Sequence, residues 1–314
     1  MSVIHTLEPE RRTLHGHFSR DLPPILTIDP GDTARYRTLD AGWGTQPFQG
    51  GNYAPRPRIF ETDPKLDAGH ALIGPIFVRG AKPGMTLAIR INDIRPGAWG
   101  WCLAGGWNGS FNPQLGIGEG TQGIVHAWTL DAETMTGRNH LGYTIKLRPF
   151  MGVMGLPPNE TGVHSTSPPR FCGGNLDCKE LVTGTTLYLP ITVEGALFSV
   201  GDGHAVQGDG EISGTAIECP MDRVDLTFDL PDDFPVTTPT AKTAEGWLTM
   251  GFGEQLNDAT VMAMEGMFGL MCRLLDISRL DAIALASLVV DLRITQIANG
   301  VLGVHAFLPH GAVH

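Results

Sequence analysis

Four ionisable side chains fall within ten residues in the stretch Gly201–Glu211, which reads GDGHAVQGDGE. They are Asp202, His204, Asp209 and Glu211, and the glycines between them let the backbone fold tightly and bring them together. Carboxylates and one imidazole on such a loop suit a divalent cation. Asp-Gly pairs are also typical of an ordinary hairpin turn. A turn needs only one aspartate, however, and crowded carboxylates repel one another unless a cation or a proton lies between them.

A second polar segment, Asn175–Glu180, lies upstream of this loop. The run between them, Thr186–Val200, is rich in β-formers, and Pro190 and Gly195 mark an edge or a bulge in it. The pattern therefore predicts that a strand separates two chemically active loops.

Long stretches around these loops carry a resemblance to a known family. The segments are GGNLDCKEL at 173–181 and LYLPITVEGALFSVGDGHAVQGDGEISGTAIE at 187–218, with LPPILTIDPGD at 22–32, GHALIGPI at 69–76, DLRITQ at 291–296 and GVHA at 303–306. Together they resemble the acetamidase/formamidase family over nearly the whole chain. The resemblance implies hydrolysis of an amide by a metal-dependent enzyme and leaves open which amide is cleaved.

Hydrolysis of a primary amide requires an activated nucleophile, a stabiliser for the oxyanion and an acid for the departing ammonia. In a metal route, we expect Asp177, Asp202 and His204 to bind the cation. Glu211 is then free to act as general base, with Asp209 and His204 as further catalytic candidates. Zinc fits three ligands that include a histidine, and calcium would fit a site richer in oxygen.

A thiol route would instead use Cys178, which Lys179 and Glu180 follow directly. Adjacency in sequence does not establish a catalytic geometry, since neighbours on a strand point to opposite faces. A buried, unreactive cysteine is the alternative interpretation. A nucleophilic serine elbow, G-x-S-x-G, is absent from the sequence.

Four further polar residues are candidates for binding substrate: Asn175, His70, Asp40 and His126. Each is equally compatible with a cap or a turn, or, for His126 in its apolar run, with a hydrogen-bonded core position.

The composition of the chain argues against some classes of binding partner. The 314 residues include 33 acidic and 22 basic side chains, a net charge of -11, which argues against binding nucleic acid. Five cysteines without a C-x-x-C pair indicate a reducing compartment. No apolar leader and no run of eighteen apolar residues are present, so we expect a cytoplasmic protein without membrane contact. Few charges on a loop-rich, apolar chain favour a homo-oligomer.

The fold is expected to be mainly β with a smaller α+β portion. Forty-one glycines, 23 prolines and many short alternating segments favour sheets of the β-sandwich or jelly-roll type over residues 1–230. Residues 231–314 should carry two helices, at about 256–275 and, after the N-cap Ser278, to about Val289. The two portions are expected to pack as one cooperative unit.

The function predicted from these features is metal-dependent hydrolysis of a short aliphatic amide, formamide or acetamide. One alternative keeps the site but cleaves a larger or cyclic amide, with the loops 40–66 and 97–123 setting the size of the pocket. The other is a non-catalytic β-sandwich that binds a metal or a ligand.

Overall fold

A computed structural model describes residues 2–109 and 111–313 of the chain. Across these residues the β-strands are β1 Ile4–Leu7, β2 Leu14–His15, β3 Leu26–Ile28, β4 Thr33–Thr38, β5 Gly51–Asn52, β6 Leu72–Val78, β7 Thr86–Pro96, β8 Trp99–Ala104, β9 Ile124–Asp131, β10 Thr136–Asn139, β11 Thr144–Lys146, β12 Phe150–Gly155, β13 Gly173–Asn175, β14 Thr186–Pro190, β15 Ala196–His204, β16 Met221–Asp229, β17 Thr240–Lys242, β18 Gly246–Gly253, β19 Asp291–Gln296 and β20 Leu302–Pro309. The helices are α1 Leu256–Leu275 and α2 Arg279–Val289.

The strands of the described residues form three sheets. A nine-stranded sheet has the order β1-β4-β16-β7-β14-β17-β18-β20-β19, and a six-stranded sheet has the order β13-β12-β15-β6-β2 with β3 also on β6. A five-stranded sheet contains β11-β10-β9-β5 with β8 on β9. The mainly β prediction is confirmed.

The main core lies between the nine-stranded and six-stranded sheets. On β7, Ile89 and Ile91 are buried while Arg90 and Asn92 are exposed, the alternation of a strand with one face on the core. From the six-stranded sheet, Phe198 on β15 meets Phe228 on β16, with ring centroids 5.0 Å apart. The two sheets thus pack face to face as in a β-sandwich.

Strand β15 is the element that carries the chemistry. It lies between β12 and β6, and all nine of its residues are buried. A strand that is covered on both faces must be apolar throughout, so Asp202 and His204 near its end are exceptions that require a reason.

Both helices begin and end where the sequence predicts. Helix α1 ends at Asp276, which takes a left-handed conformation at φ 52°. At the start of α2 the Ser278 hydroxyl accepts the N–H of Asp281 at 3.2 Å, as a capping residue does. A small second core forms where α1 packs on β18 and β20. Because β18, β20 and β19 extend the nine-stranded sheet, strands from both sides of residue 231 belong to one sheet. The division of the chain into 1–230 and 231–314 stays a prediction.

Stability should fall below pH 6.5 because of the buried His15. Its Nδ1–H donates to the His17 carbonyl at 2.6 Å and its Nε2 accepts the Ser199 hydroxyl at 3.0 Å, which suits a neutral ring. Burial lowers the pKa of His15 to about 4 from 6.5. Between these values the unfolded chain binds a proton that the folded chain does not, so the free energy of unfolding should fall by up to about 3 kcal/mol.

Denaturant unfolding at pH 7.5, 6 and 5 measures this loss for the wild type and His15→Gln. The buried His305, whose pKa burial also lowers to about 4, adds to the loss in both proteins. The difference between the two pH profiles therefore reports His15 alone, and parallel profiles would contradict the assignment.

Candidate active site

His204 lies at the end of β15 with carboxylates around it. Its Nε2 is 3.3 Å from Asp202 Oδ1 and 3.3 Å from Glu218 Oε2. On the other side of the ring, Nδ1 is 3.8 Å from Asp177 Oδ1. Glu211 completes the cluster, since its carboxylate, Asp177 and His204 offer ligand atoms within 4.8 Å of one another. All five side chains are buried.

Gln207 fixes which nitrogen of His204 carries hydrogen. Its amide Nε2 donates to the backbone carbonyl of Asp177 at 2.8 Å, so Oε1 is the atom that faces His204 Nδ1 at 2.9 Å. Because this oxygen only accepts, Nδ1 must donate to it. The Nε2 lone pair of a neutral His204 would therefore face Asp202 and Glu218, an arrangement that requires a cation or a proton between them.

Burial and mutual repulsion shift the pKa values of these acids. Desolvation, together with the charge of Asp177, holds the pKa of Glu211 well above its usual range. Desolvation raises the pKa of Glu218 to about 8 and also raises that of Asp177. For Asp202, the effect of burial is outweighed by the positive charges of His204 and His70, which hold its pKa below the ordinary value. Four carboxyl groups around one imidazole therefore cannot all ionise without further positive charge.

The atoms in this cluster fit a divalent cation. One oxygen on each of Asp177, Asp202, Glu211 and Glu218 is buried without a hydrogen-bond partner among the described residues. Such atoms are costly to bury unless something satisfies them. Hard carboxylate oxygens and an imidazole nitrogen are the donor set that zinc accepts and that calcium partly shares.

Gly152 on β12 leaves the space that the carboxylates occupy. A Cβ atom at this position would lie 2.6 Å from Asp177 Oδ1, 2.6 Å from Asp202 Oδ2 and 3.0 Å from His204 Cε1. Any other residue here would push these side chains apart.

Three of the acidic residues take left-handed backbone conformations, with φ 43° at Asp177, 60° at Asp202 and 46° at Glu211. Aspartate tolerates this region, whereas for glutamate it is uncommon. Strained backbone conformations are enriched at functional sites, where contacts with the surrounding structure maintain them. Here it turns three carboxylates toward one point.

Two predicted substrate-binding residues lie near this cluster. Asn175 ends β13 and is buried, and its Oδ1 has no hydrogen-bond partner among residues 2–109 and 111–313. His70 precedes β6, and Thr166 Oγ1 accepts its backbone N–H at 2.9 Å and lies 2.8 Å from its Nδ1. Thr166 is fully buried, so its hydroxyl hydrogen is best satisfied by His70 Nδ1, which leaves Nε2–H as the free donor.

Asp40 is linked to the cluster through Trp101. Trp101 Nε1 and Arg56 both donate to its Oδ2, and Gly44 N–H donates to Oδ1 at 2.7 Å. With both oxygens bound, Asp40 holds Trp101, whose backbone in turn pairs with that of Glu218 in both directions at 2.8 and 2.9 Å.

Asp209 and His126 are not brought into the cluster. Asp209 forms an ion pair with Lys179 at 2.8 Å, which joins the two polar loops. His126 is half-buried on β9 of the five-stranded sheet and meets His140 edge-on, with centroids 5.7 Å apart. A cavity of about 740 Å³ on that sheet, lined by Trp99 and His140 among others, includes none of the clustered residues in its lining.

Cys178 is placed as an inert core residue. It is fully buried, and burial raises the pKa of its thiol to about 12, so the nucleophilic thiolate is scarce at neutral pH. If Cys178 is a structural residue, Cys178→Ala should leave the amide hydrolysis expected from sequence unchanged and lose on the order of 1 kcal/mol of stability from the small cavity. Rates of ammonia release and denaturant unfolding measure both, and loss of activity in a folded variant would restore the thiol route.

The sequence predicts no role for three residues that the structure places at the cluster: Gly152, Gln207 and Asn299. Gly152 and Gln207 had a signal, a glycine inside an apolar strand and an amide inside the GDGHAVQGDGE loop. Thr166 is polar enough to contact substrate, but its contact with His70 and that of Asn299 with Asp177 had no signal, because these partners are 96 and 122 residues away.

The sequence profile of the acetamidase/formamidase family matches residues 2–165 and 159–244. The chain belongs to the acetamidase/formamidase family. The profile match includes every residue of the cluster around His204.

Individual members of the family are similar at moderate identity. An acetamidase of Mycolicibacterium smegmatis is 29% identical over 273 residues, covering 68% of this chain and 65% of that protein. A formamidase of Methylophilus methylotrophus is 27% identical over 256 residues, covering 64% of this chain and 60% of that protein. The alignments thus span less than two thirds of these relatives.

The match to a solved structure covers a larger share of both chains. The crystal structure of an acetamidase from Bacillus halodurans matches with a TM-score of 0.83 at 27% identity, covering 97% of each chain. The three-sheet architecture is therefore shared over almost the full length. Within the described residues, no helix has both the length and the apolar character needed to cross a membrane.

Proposed function

We propose that this protein hydrolyses short linear primary amides, formamide or acetamide, to the carboxylate and ammonia with the help of a divalent cation. The observation that carries the proposal is the buried cluster of four carboxyl groups around His204, with Nε2 lying 3.3 Å from oxygens of two of them. Membership of the acetamidase/formamidase family supplies the substrate class.

The atoms best suited to hold the cation are His204 Nε2, Asp202 Oδ1 and Glu218 Oε2. Their mutual geometry supports this set over the one expected from sequence, in which Asp177 is the third ligand. Asp177 lies on the Nδ1 side of the ring, and Nδ1 is already occupied by Gln207. A cation bound there would polarise the amide carbonyl and lower the pKa of a water molecule. Zinc suits the three ligands best, and calcium is the alternative.

Asp177 and Glu211 are then free to move protons. Because each carboxylate disfavours ionisation of the other, the pair holds one proton and leaves one oxygen free to accept another. With the shared proton on Asp177, whose Oδ1 is buried without a partner among the described residues, the ionised Glu211, the general base expected from sequence, would take a proton from the attacking water and return it to the departing nitrogen. Asp209 lies in the ion pair with Lys179 and has no direct step in this scheme.

Asn175 and the Nε2–H of His70 would bind the substrate. Asn175 and His70 are polar groups that suit a small polar ligand, and the donor on His70 suits a carbonyl oxygen. Asp40 would shape the pocket through Trp101 and leave contact with the amide to others. His126 is the weakest candidate, since it lies on the five-stranded sheet.

Two other functions compete with this one. A larger or cyclic amide would use the same groups with a wider pocket, and relative rates on amides of increasing size separate that case. A non-catalytic metal-binding sandwich would bind the cation without turnover. In that case Glu211→Gln would leave metal binding and fold intact and have no activity to remove.

The decisive assay measures ammonia released from formamide, acetamide and propionamide by the purified protein. It is repeated after chelation and after adding back zinc or calcium. We expect activity that disappears with the chelator and returns with one of these ions. Activity that is indifferent to chelation would refute the metal dependence, and no ammonia from any amide would refute the substrate class.

Assembly and location complete the proposal. Exposed apolar side chains on α2 and β19, including Leu280, Leu288 and Leu292, favour a homo-oligomer that covers them. Light scattering of the purified protein tests this. We also propose a cytoplasmic location, on the strength of the five free cysteines.

A further inference from the structure

The turn after β19 is built around one buried amide. Gln296 is fully buried, and its Oε1 accepts the N–H groups of Ala298 at 2.8 Å and Asn299 at 3.1 Å. Its Nε2 donates to the Val301 carbonyl at 2.7 Å. Three hydrogen bonds from one side chain fix the backbone of the turn and the direction in which Asn299 leaves it.

The same turn is attached to the loop that carries Glu211. Gly210 N–H donates to the Thr295 carbonyl at 3.0 Å, and Ile297 N–H donates to the Gly210 carbonyl at 2.9 Å. Gly210 and Gln296 thereby form a parallel bridge. Since Glu211 follows Gly210 directly, its position relative to the turn is set by backbone hydrogen bonds.

Asn299 reaches from this turn to Asp177. Its Nδ2 donates to Asp177 Oδ2, while Asp177 Oδ1 remains buried without a hydrogen-bond partner in the described part of the chain. An amide NH₂ group can only donate, so it holds Oδ2 as an acceptor. Oδ1 is left as the oxygen that faces Gly152 and His204.

We propose that Asn299 is a positioning residue that orients the Asp177 carboxylate for the hydrolysis proposed above, on which this inference rests. The turn 295–301 holds Asp177 through Asn299 and Glu211 through Gly210. It thereby fixes the positions of the two proton-transferring carboxyl groups relative to each other. This turn lies outside the residues 2–244 that the family profile matches. The C-terminal portion of the chain therefore contributes to the site directly.

The test compares Asn299→Ala and Asn299→Asp with the wild type. Groups that orient a functional carboxylate typically contribute about 10- to 100-fold, so Asn299→Ala should lower kcat by that factor and leave KM nearly unchanged. Asn299→Asp has almost the same volume but places a second carboxylate against Asp177, so its loss should be larger. Asn159→Ala is the matched control, because Asn159 is an exposed asparagine whose side chain accepts a hydrogen bond from Arg20 and which lies outside the cluster.

A second readout does not depend on activity. In a crystal structure of Asn299→Ala, the Asp177 carboxylate should leave its wild-type rotamer while β13 and β15 stay in place. Wild-type kcat in Asn299→Ala, or an unmoved Asp177, would overturn the inference. If the wild type releases no ammonia from any amide, the proposed function fails, and the Asp177 rotamer still decides the role of Asn299. Should Asn299→Ala not fold, Asn299→Ser carries the same test, since it is too short to reach Asp177.

Discussion

Glu211→Gln should lower kcat for the proposed amide hydrolysis by about 100- to 10,000-fold, the range that a general acid–base residue contributes. The amide of glutamine has the shape of the carboxylate but cannot take a proton from water. Glu211 is buried beside Asp177, and the substitution removes one of two carboxyl groups that repel each other. We therefore expect the variant to be at least as stable as the wild type. Ammonia release and thermal unfolding, measured on the same preparation, check both parts.

Asp209→Asn is the matched comparison, because it makes the same chemical change two residues away. Asp209 is paired with Lys179 and is only half-buried, so its loss should affect stability slightly and kcat far less than the loss of Glu211. Equal losses in the two variants would mean that the loop as a whole, and not the Glu211 carboxylate, supports activity.

Gly152→Ala should reduce kcat by about 100-fold or more while the protein still folds. The new methyl group would lie 2.6 Å from oxygens of both Asp177 and Asp202, far inside van der Waals contact. Displacing these groups by about 1 Å is enough for such a loss, since catalysis depends on their alignment. Because side chains and not backbone must move, we expect a stability loss of about 1–3 kcal/mol.

Gly208→Ala provides the control for this substitution. Gly208 lies in the loop between His204 and Glu211, and a Cβ atom there would meet nothing within 4 Å. It should retain wild-type kinetics. Activity of Gly152→Ala equal to that of Gly208→Ala would show that the space beside Gly152 is not needed by the carboxylates.

The sequence by itself determined the family, the mainly β architecture and the two helices. These depend on local signals: alternation in β7, the cap at Ser278 and the spacing of apolar residues in α1. It also predicted that the loops around Asp177 and His204 carry the chemistry, because glycines and ionisable groups are concentrated there. Local signals suffice for these features since each is decided by neighbouring residues.

Only the tertiary structure decided how the groups of the cluster are arranged around His204. The tautomer of His204 depends on Gln207, which is held in turn by the carbonyl of Asp177, 30 residues away. The spacing of residues in the sequence therefore could not predict that Glu218, and not Asp177, lies beside Nε2. The separation of Asp209 from Glu211 arises from an ion pair with another loop, and the contribution of Asn299 from a turn in a different part of the chain. Such contacts are fixed by packing between distant strands, which no local pattern encodes.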